Sequence, residues 1–206
     1  MNSSVVEGRI WPLVTILCIA QILSMMSFAN FVGLIPHFIT AWTLTNTEAG
    51  WIGGIYFAGY MVAAPFFGGL TDKYDPRRVY AIAAIIGGIA SLCFALMAEG
   101  FWSALAFRML AGMGLAGTHM PGLKILTDRI QGSRQSRAVA FYTSCFGFGS
   151  AASFLITGEI AAGFGWSWVF AASAVTALAA VLVVTLGVRG ARPQQPSPAP
   201  STSSLG

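Results

Sequence analysis

Charge is what this sequence has least of. Only 9% of its 206 residues are Asp, Glu, Lys or Arg, where an average soluble domain carries about 25%. A water-soluble globular fold is thereby excluded, and 56% hydrophobic residues point to lipid as the main solvent. Cysteine is scarce as well. Cys18, Cys93 and Cys145 are odd in number and widely spaced, which leaves no disulfide framework or metal-ligand pattern and reads as small packing residues. No metal or cofactor is implied. Strand-like alternation is missing from runs such as AIAAIIGGIASLCFALM, so a transmembrane β-barrel is excluded and membrane-spanning helices remain.

The few charges delimit those helices. Uncharged gaps of 38, 23, 20, 21 and 29 residues follow Arg9, Glu48, Arg78, Arg137 and Glu159, and residues 100–123 carry Arg108 as their one charge. A span needs about 20 apolar residues. The expected spans are 10–32, 50–70, 79–98, 101–124, 139–162 and 167–188, an all-α polytopic fold of six helices. The apolar run after Arg9 exceeds the core of a cleaved signal, about 7–15 residues, and is expected to stay as span one. Residues 1–9 form a short leading segment. Residues 189–206 hold four of the nine prolines and almost no large apolar side chain; they are expected to form a disordered tail or interdomain linker.

Ten of the eleven basic residues fall on one side of this arrangement. They are Arg9; Lys73, Arg77 and Arg78; Lys124, Arg129, Arg134 and Arg137; and Arg189 and Arg192. Glu48, Glu99 and Glu159 occupy the other side. The positive-inside rule then puts both termini in the cytoplasm, with the chain in the cell (inner) membrane. The net charge of +4 is this inner-loop excess, and it calls for a bilayer as partner rather than nucleic acid.

The eleventh basic residue lies inside the membrane. A central Arg costs about 2.5–3.5 kcal/mol on insertion scales, so Arg108 is expected to face a polar cavity or a partner. His119 follows eleven residues later, three helical turns plus about 20°, and shares its face. An Arg that attracts an anionic group and a His that titrates near neutrality would suit proton-coupled movement of a small solute; a solvated His119 near the inner surface is the plainer alternative. Gln21 and Asn30 in span one, nine residues apart, point to opposite faces, so at most one of them looks straight into a cavity. Tyr56 and Tyr60 lie one turn apart on span two and either stack on a solute or pack. Small-residue spacing at Gly50, Gly54 and Ala58, and at Gly147 and Ala151, allows close helix crossings, and Gly112, Gly114 and Gly149 are expected to serve helix packing as well. Spans three and six are apolar all round, as helices on a lipid-facing rim would be. Gly147, Gly149 and Ser150 resemble a glycine-flanked nucleophile, but no His follows His119, so an intramembrane enzyme is disfavoured.

The loop at 68–80, GGLTDKYDPRRVY, joins spans two and three. Gly68 and Gly69 leave room for another helix, and Asp72 beside Lys73, Arg77 and Arg78 makes a charge cluster at a membrane interface. This loop resembles the signature of the major facilitator superfamily: Gly68, Leu70, Asp72, Lys73 and Arg77 fall on that pattern. Asp75 and Pro76 depart from it, standing where glycine and a basic residue are usual. The segment 108–114, with Arg108, Gly112 and Gly114, is similar to the family's fourth span. Asp128 and Arg137 match its next inner loop, and 166–170 (WSWVF) its way into span six.

The resemblance implies the N-terminal six-helix half of a secondary transporter, built as two inverted three-helix repeats with the solute path beside spans one and four. It further implies alternating access, with the loop cluster as a cytoplasmic latch in which Asp72 and Asp128 share Arg77 or Arg78. A second six-helix half would be needed, from the same protein, a separate subunit or another copy. A half-length module that does not itself transport is the rival reading.

Overall fold

The computed structural model describes residues 3–188, and helices make up almost all of them. Segment 189–206, with Arg189 and Arg192, lies outside the described residues. In chain order the helices are α1 (Ser3–Ser24), α2 (Ile35–Trp42), α3 (Asn46–Lys73), α4 (Pro76–Met97), α5 (Phe101–Arg129), α6 (Ser133–Phe164) and α7 (Trp166–Gly187). Two short 3₁₀ turns, Met25–Ser27 and Val32–Leu34, separate α1 from α2.

Local chemistry sets the boundaries. Thr45 and Glu48 form a reciprocal capping box at the start of α3, which satisfies two of the orphan donors of that helix end. Asp75 caps α4, and Pro76 occupies its first turn, where no N–H partner is needed. Gly132 and Gly165, at φ +72° and +91°, turn the chain into α6 and α7, a backbone region that costs L-residues with a Cβ.

Five stretches are long and apolar enough to cross a membrane: Trp11–Trp42, Asn46–Lys73, Pro76–Met97, Ser133–Phe164 and Trp166–Gly187. The sixth long helix, α5, has the length but carries Arg108, Lys124, Asp128 and Arg129. It compensates by burial, packing against both α3 and α4 with Arg108 inside. The first passage differs from the expected 10–32: it continues through two turns and α2 to Trp42. Phe38 and Trp42 of α2 join Phe31, Phe94, Trp166 and Phe170 in a buried aromatic cluster at the acidic end, with Phe94 and Phe170 stacked at 3.9 Å between centroids. α5 and α6 also run past the expected span limits at the basic end.

Helix α4 is not a rim helix throughout. Ile82, Ile86, Ile89 and Leu96 form an exposed aliphatic stripe, while Ala83, Ala90, Ser91 and Phe94 are buried against α5 and α7. Close crossings occur at Gly112, Gly114 and Gly149, and not at Gly147 or at the pair Gly50 and Gly54. A Cβ on Gly112 would run into the Tyr56 carbonyl, and one on Gly59 into the Met109 carbonyl, so α3 and α5 touch backbone to backbone. Gly114 likewise meets Gly87 of α4, and Gly149 meets Met25. Gly50, Gly54, Gly68, Gly69 and Gly147 have nothing within 4 Å of their Cβ positions. None of the five is used for a crossing within this bundle, which corrects the expectation for Gly50, Gly54 and Gly147.

Candidate functional site

The interruption at Met25–Ser27 is where a polar site can exist in an apolar bundle. A broken helix frees carbonyls that hydrocarbon cannot satisfy, at several kcal/mol each. Each carbonyl from 25 to 29 has a partner. Met25 O accepts from the Phe28 N–H at 2.9 Å, and Ala29 O from the Gly33 N–H at 2.7 Å. Met26 O accepts from the Ser153 and Ser173 hydroxyls at 2.9 and 3.2 Å. Ser27 O and Phe28 O accept from Nη1 and Nη2 of Arg108 at 2.9 and 3.2 Å.

Arg108 is therefore spent on span one. It is 2% exposed, and its guanidinium carbon sits 4.2 Å from the Tyr56 ring centroid, a desolvated cation–π contact. The Tyr56 hydroxyl in turn pairs with Ser27 Oγ at 3.2 Å. The expectation of an Arg108 facing an open cavity is corrected: its fork lies beneath the wall and holds the broken backbone. Asn30 is corrected too. It is buried, donates to Ser173 Oγ at 2.7 Å and accepts from Thr157 Oγ1 at 3.2 Å, joining α6 and α7 to the first passage.

Gln21 turns instead towards α6, where its Oε1 accepts from the Tyr142 hydroxyl at 2.7 Å. That hydroxyl also lies 3.2 Å from the His119 carbonyl. The His119 ring stacks on Tyr142 with centroids 5.4 Å apart and meets Phe146 and Tyr60 at 5.8 and 6.4 Å. Phe28 continues the wall, edge-on to Tyr56, Phe57 and Phe146. Phe28, Tyr60, His119 and Phe146 are half-buried, so α1, α3, α5 and α6 together present a partly open aromatic face. Among the described residues, Gln21 Nε2, Arg108 Nε and His119 Nδ1 are the buried side-chain nitrogens without a partner. The sequence reading had missed Tyr142 and Phe146. A Tyr inside an apolar span was the available signal, because its hydroxyl needs a partner there.

The basic end is wired differently from expectation. Lys124 Nζ lies 3.4 Å from both Asp72 and Asp128 and bridges α3 to α5. Arg77 does not share those carboxylates: its Nη2 pairs with Asp75 at 3.0 Å and its Nη1 donates to Val188 O at 2.8 Å. The cause is local. Asp75, two residues before Arg77, already caps its backbone N–H at 2.9 Å and captures the side chain. Burial alone would raise the Asp75 carboxyl, but the hydrogen bonds and charge of Arg77, with Arg78 nearby, outweigh it and hold it below its usual range. Arg78 and Arg137 are exposed, and Leu70 packs on a core of Phe67 and Val79. Ser150 donates within its own helix, to Phe146 O at 2.7 Å.

The family model described as Major Facilitator Superfamily matches residues 17–205. The chain belongs to the major facilitator superfamily. It is a multi-pass membrane protein of a transporter family, not an enzyme, and its helices form the six-helix N-terminal domain of that fold. Among curated relatives of this superfamily member, the niacin transporter NiaP of Acinetobacter baylyi is 28% identical over 156 residues, covering 74% of this chain and 35% of that protein. Human protein spinster homolog 1 is 26% identical over 189 residues, covering 88% and 35%. The chain thus spans about a third of these relatives' length. Among solved structures, a bacterial homolog to the human lysosomal transporter Spinster, inward-facing and occupied, superposes with a TM-score of 0.77 at 19% identity, covering 86% of this chain and 44% of that one. The proton:xylose symporter XylE superposes at 0.75 and 16%, covering 87% and 45%. At these identities the structures speak for the fold.

Proposed function

We propose that this chain is one half of an alternating-access secondary transporter whose solute is a small, flat organic anion. The aromatic face of Phe28, Tyr60, His119 and Phe146 carries this reading, because it offers ring surfaces together with two unspent nitrogens, Gln21 Nε2 and His119 Nδ1. Rings stack on a planar solute, and the two nitrogens, buried here, meet its polar edge once the wall shifts to admit it. Arg108 contributes positive potential from beneath that wall rather than direct contact. The niacin transporter among the relatives favours the same class, niacin being an aromatic acid.

Proton coupling is assigned to His119, the one imidazole on that face. The second half packs against the outward faces of α3 and α6, where Gly50, Gly54 and Gly147 stand uncovered and leave room for close approach. Lys124, Asp72 and Asp128 then act as the cytoplasmic gate cluster, with both termini on that side of the cell membrane.

Uptake of labelled pyridine or benzene carboxylates by the complete transporter in proteoliposomes tests the proposal. His119→Ala and Tyr60→Ala each raise KM about 5- to 30-fold, since one lost stacked or hydrogen-bonded contact is worth roughly 1–2 kcal/mol. Competition by aliphatic acids equal to that by aromatic ones would sink the reading. Transport by a demonstrated six-helix monomer would refute the need for a second half.

A further inference from the structure

A second polar feature lies beside the broken segment. A small crevice opens between α1, α4, α5 and α7, lined by Ser24, Ser27, Ser91, Thr118 and Ser173, with Gly87 and Gly114 among its walls. Five hydroxyls in one gap are unusual for a bundle that is otherwise filled by aliphatic side chains. Four have protein partners. Ser24 pairs with the Tyr80 hydroxyl at 2.9 Å, and Ser27 with that of Tyr56 at 3.2 Å. Thr118 donates to Leu115 O at 2.9 Å, and Ser173 accepts from Asn30 Nδ2 at 2.7 Å.

Ser91 differs. It is 3% exposed, and among the described residues its hydroxyl makes no hydrogen bond. Other helix hydroxyls back-bond to their own helix, as Ser144, Ser150 and Thr185 do. Ser91 instead presents its oxygen to the crevice. The oxygen is not fully enclosed: it reaches open space in the crevice, where a polar occupant would satisfy it.

The lining selects the occupant. A cation would find no carboxylate there, and the Arg108 guanidinium, bound to the Ser27 carbonyl, repels it. An anion would find neither a backbone N–H row nor a free cationic group. Hydroxyls already paired with protein groups still offer lone pairs, and Ser91 offers a proton as well. A small neutral molecule that both donates and accepts fits this set. We propose that the crevice is a resident water site, with water bridging Ser91 of α4 to Thr118 of α5 and to the Ser24 and Ser27 hydroxyls of the first passage. The room left for water is about that of a single molecule, and the partners number between two and four, as buried waters require. Such water joins the Ser24–Tyr80 and Ser27–Tyr56 pairs into one network running from α4 through the broken segment to α3.

Two measurements on the full chain in lipid nanodiscs decide it. The first is the apparent Tm of Ser91→Ala, followed by tryptophan fluorescence. A hydrated site loses one hydrogen bond, and Tm falls by about 2–4 °C. A dry crevice gives an unchanged or higher Tm, because an unpartnered hydroxyl has been removed, and that result overturns the proposal. The second is a lipid-phase crystal structure at about 2 Å resolution. Density within hydrogen-bond reach of Ser91 Oγ and Thr118 Oγ1 is expected. A clear lattice of ordered waters elsewhere with none here, or a Ser91 rotamer back-bonded to Gly87 O, refutes it.

Discussion

Replacing Arg108 by lysine separates two roles that alanine would confound. Lysine keeps the positive charge but not the planar fork. In the structure that fork serves two carbonyls at once, Ser27 O at 2.9 Å and Phe28 O at 3.2 Å, with its face on Tyr56. An ammonium group on a shorter stem reaches at most one of them. The other is left buried and unpaired, which costs about 1–3 kcal/mol, and the stacking contribution of up to about 2 kcal/mol is weakened. The expected loss is therefore about 2–4 kcal/mol, or about 5–15 °C in apparent Tm for a domain of this size. Arg108→Met loses both hydrogen bonds but is spared the burial of a charge, several kcal/mol per ion, so its Tm falls less than the two lost bonds alone would indicate. Thermal unfolding followed by tryptophan fluorescence reads both variants, and solute uptake by the complete transporter runs in parallel. If Arg108→Lys matched the wild type in both Tm and uptake, the charge alone would be what matters, and the clamp on the broken segment would be refuted.

Three further outcomes follow from the same structure. Gly112→Ala drives a methyl into the Tyr56 carbonyl and lowers Tm by several degrees, about 1–3 kcal/mol of overpacking, whereas Gly147→Ala, facing outward, leaves Tm equal or slightly higher through helix propensity; equal effects of the two would contradict the packing. The depressed carboxyl of Asp75 stabilises the fold above its unfolded value of 3.8, and that contribution is lost as pH falls through the lower folded value. Acid titration of Tm below about pH 4 should flatten in Asp75→Asn, and an unaltered acid limb would count against the Asp75–Arg77 pair. In a cysteine-free background, Thr47→Cys should react with an impermeant maleimide from outside intact cells and Ser133→Cys only after permeabilisation; the reverse pattern would overturn the orientation.

Much of this architecture is legible in the sequence because charges in lipid are costly and therefore rare. The gaps between them locate the helices, and the solitary Arg108 is conspicuous for the same reason. The break at Met25–Ser27 is not legible. Its carbonyls are satisfied by Arg108, Ser153 and Ser173, some 80 to 147 residues away, and no local pattern encodes such partners. Asn30 misled in the same way, since a polar residue in a span can bridge helices as well as face a solute. The helix α2 was missed because eight residues are too few to give a periodic signal. At the basic end, nearest sequence neighbours suggested a shared arginine. The observed partner, Lys124, comes from one turn before Asp128 on another helix.

The ties on Met26 have a mechanical consequence. One carbonyl receives hydroxyls from both α6 and α7, and the next two receive the guanidinium of α5. An interruption in a long helix usually confers compliance, but here the freed acceptors are riveted to three neighbouring helices. Bending at that point would have to strip donors from three helices at once, in a medium that offers no replacements. The bundle should therefore tilt as a solid block, and whatever opens and closes does so along its outer faces.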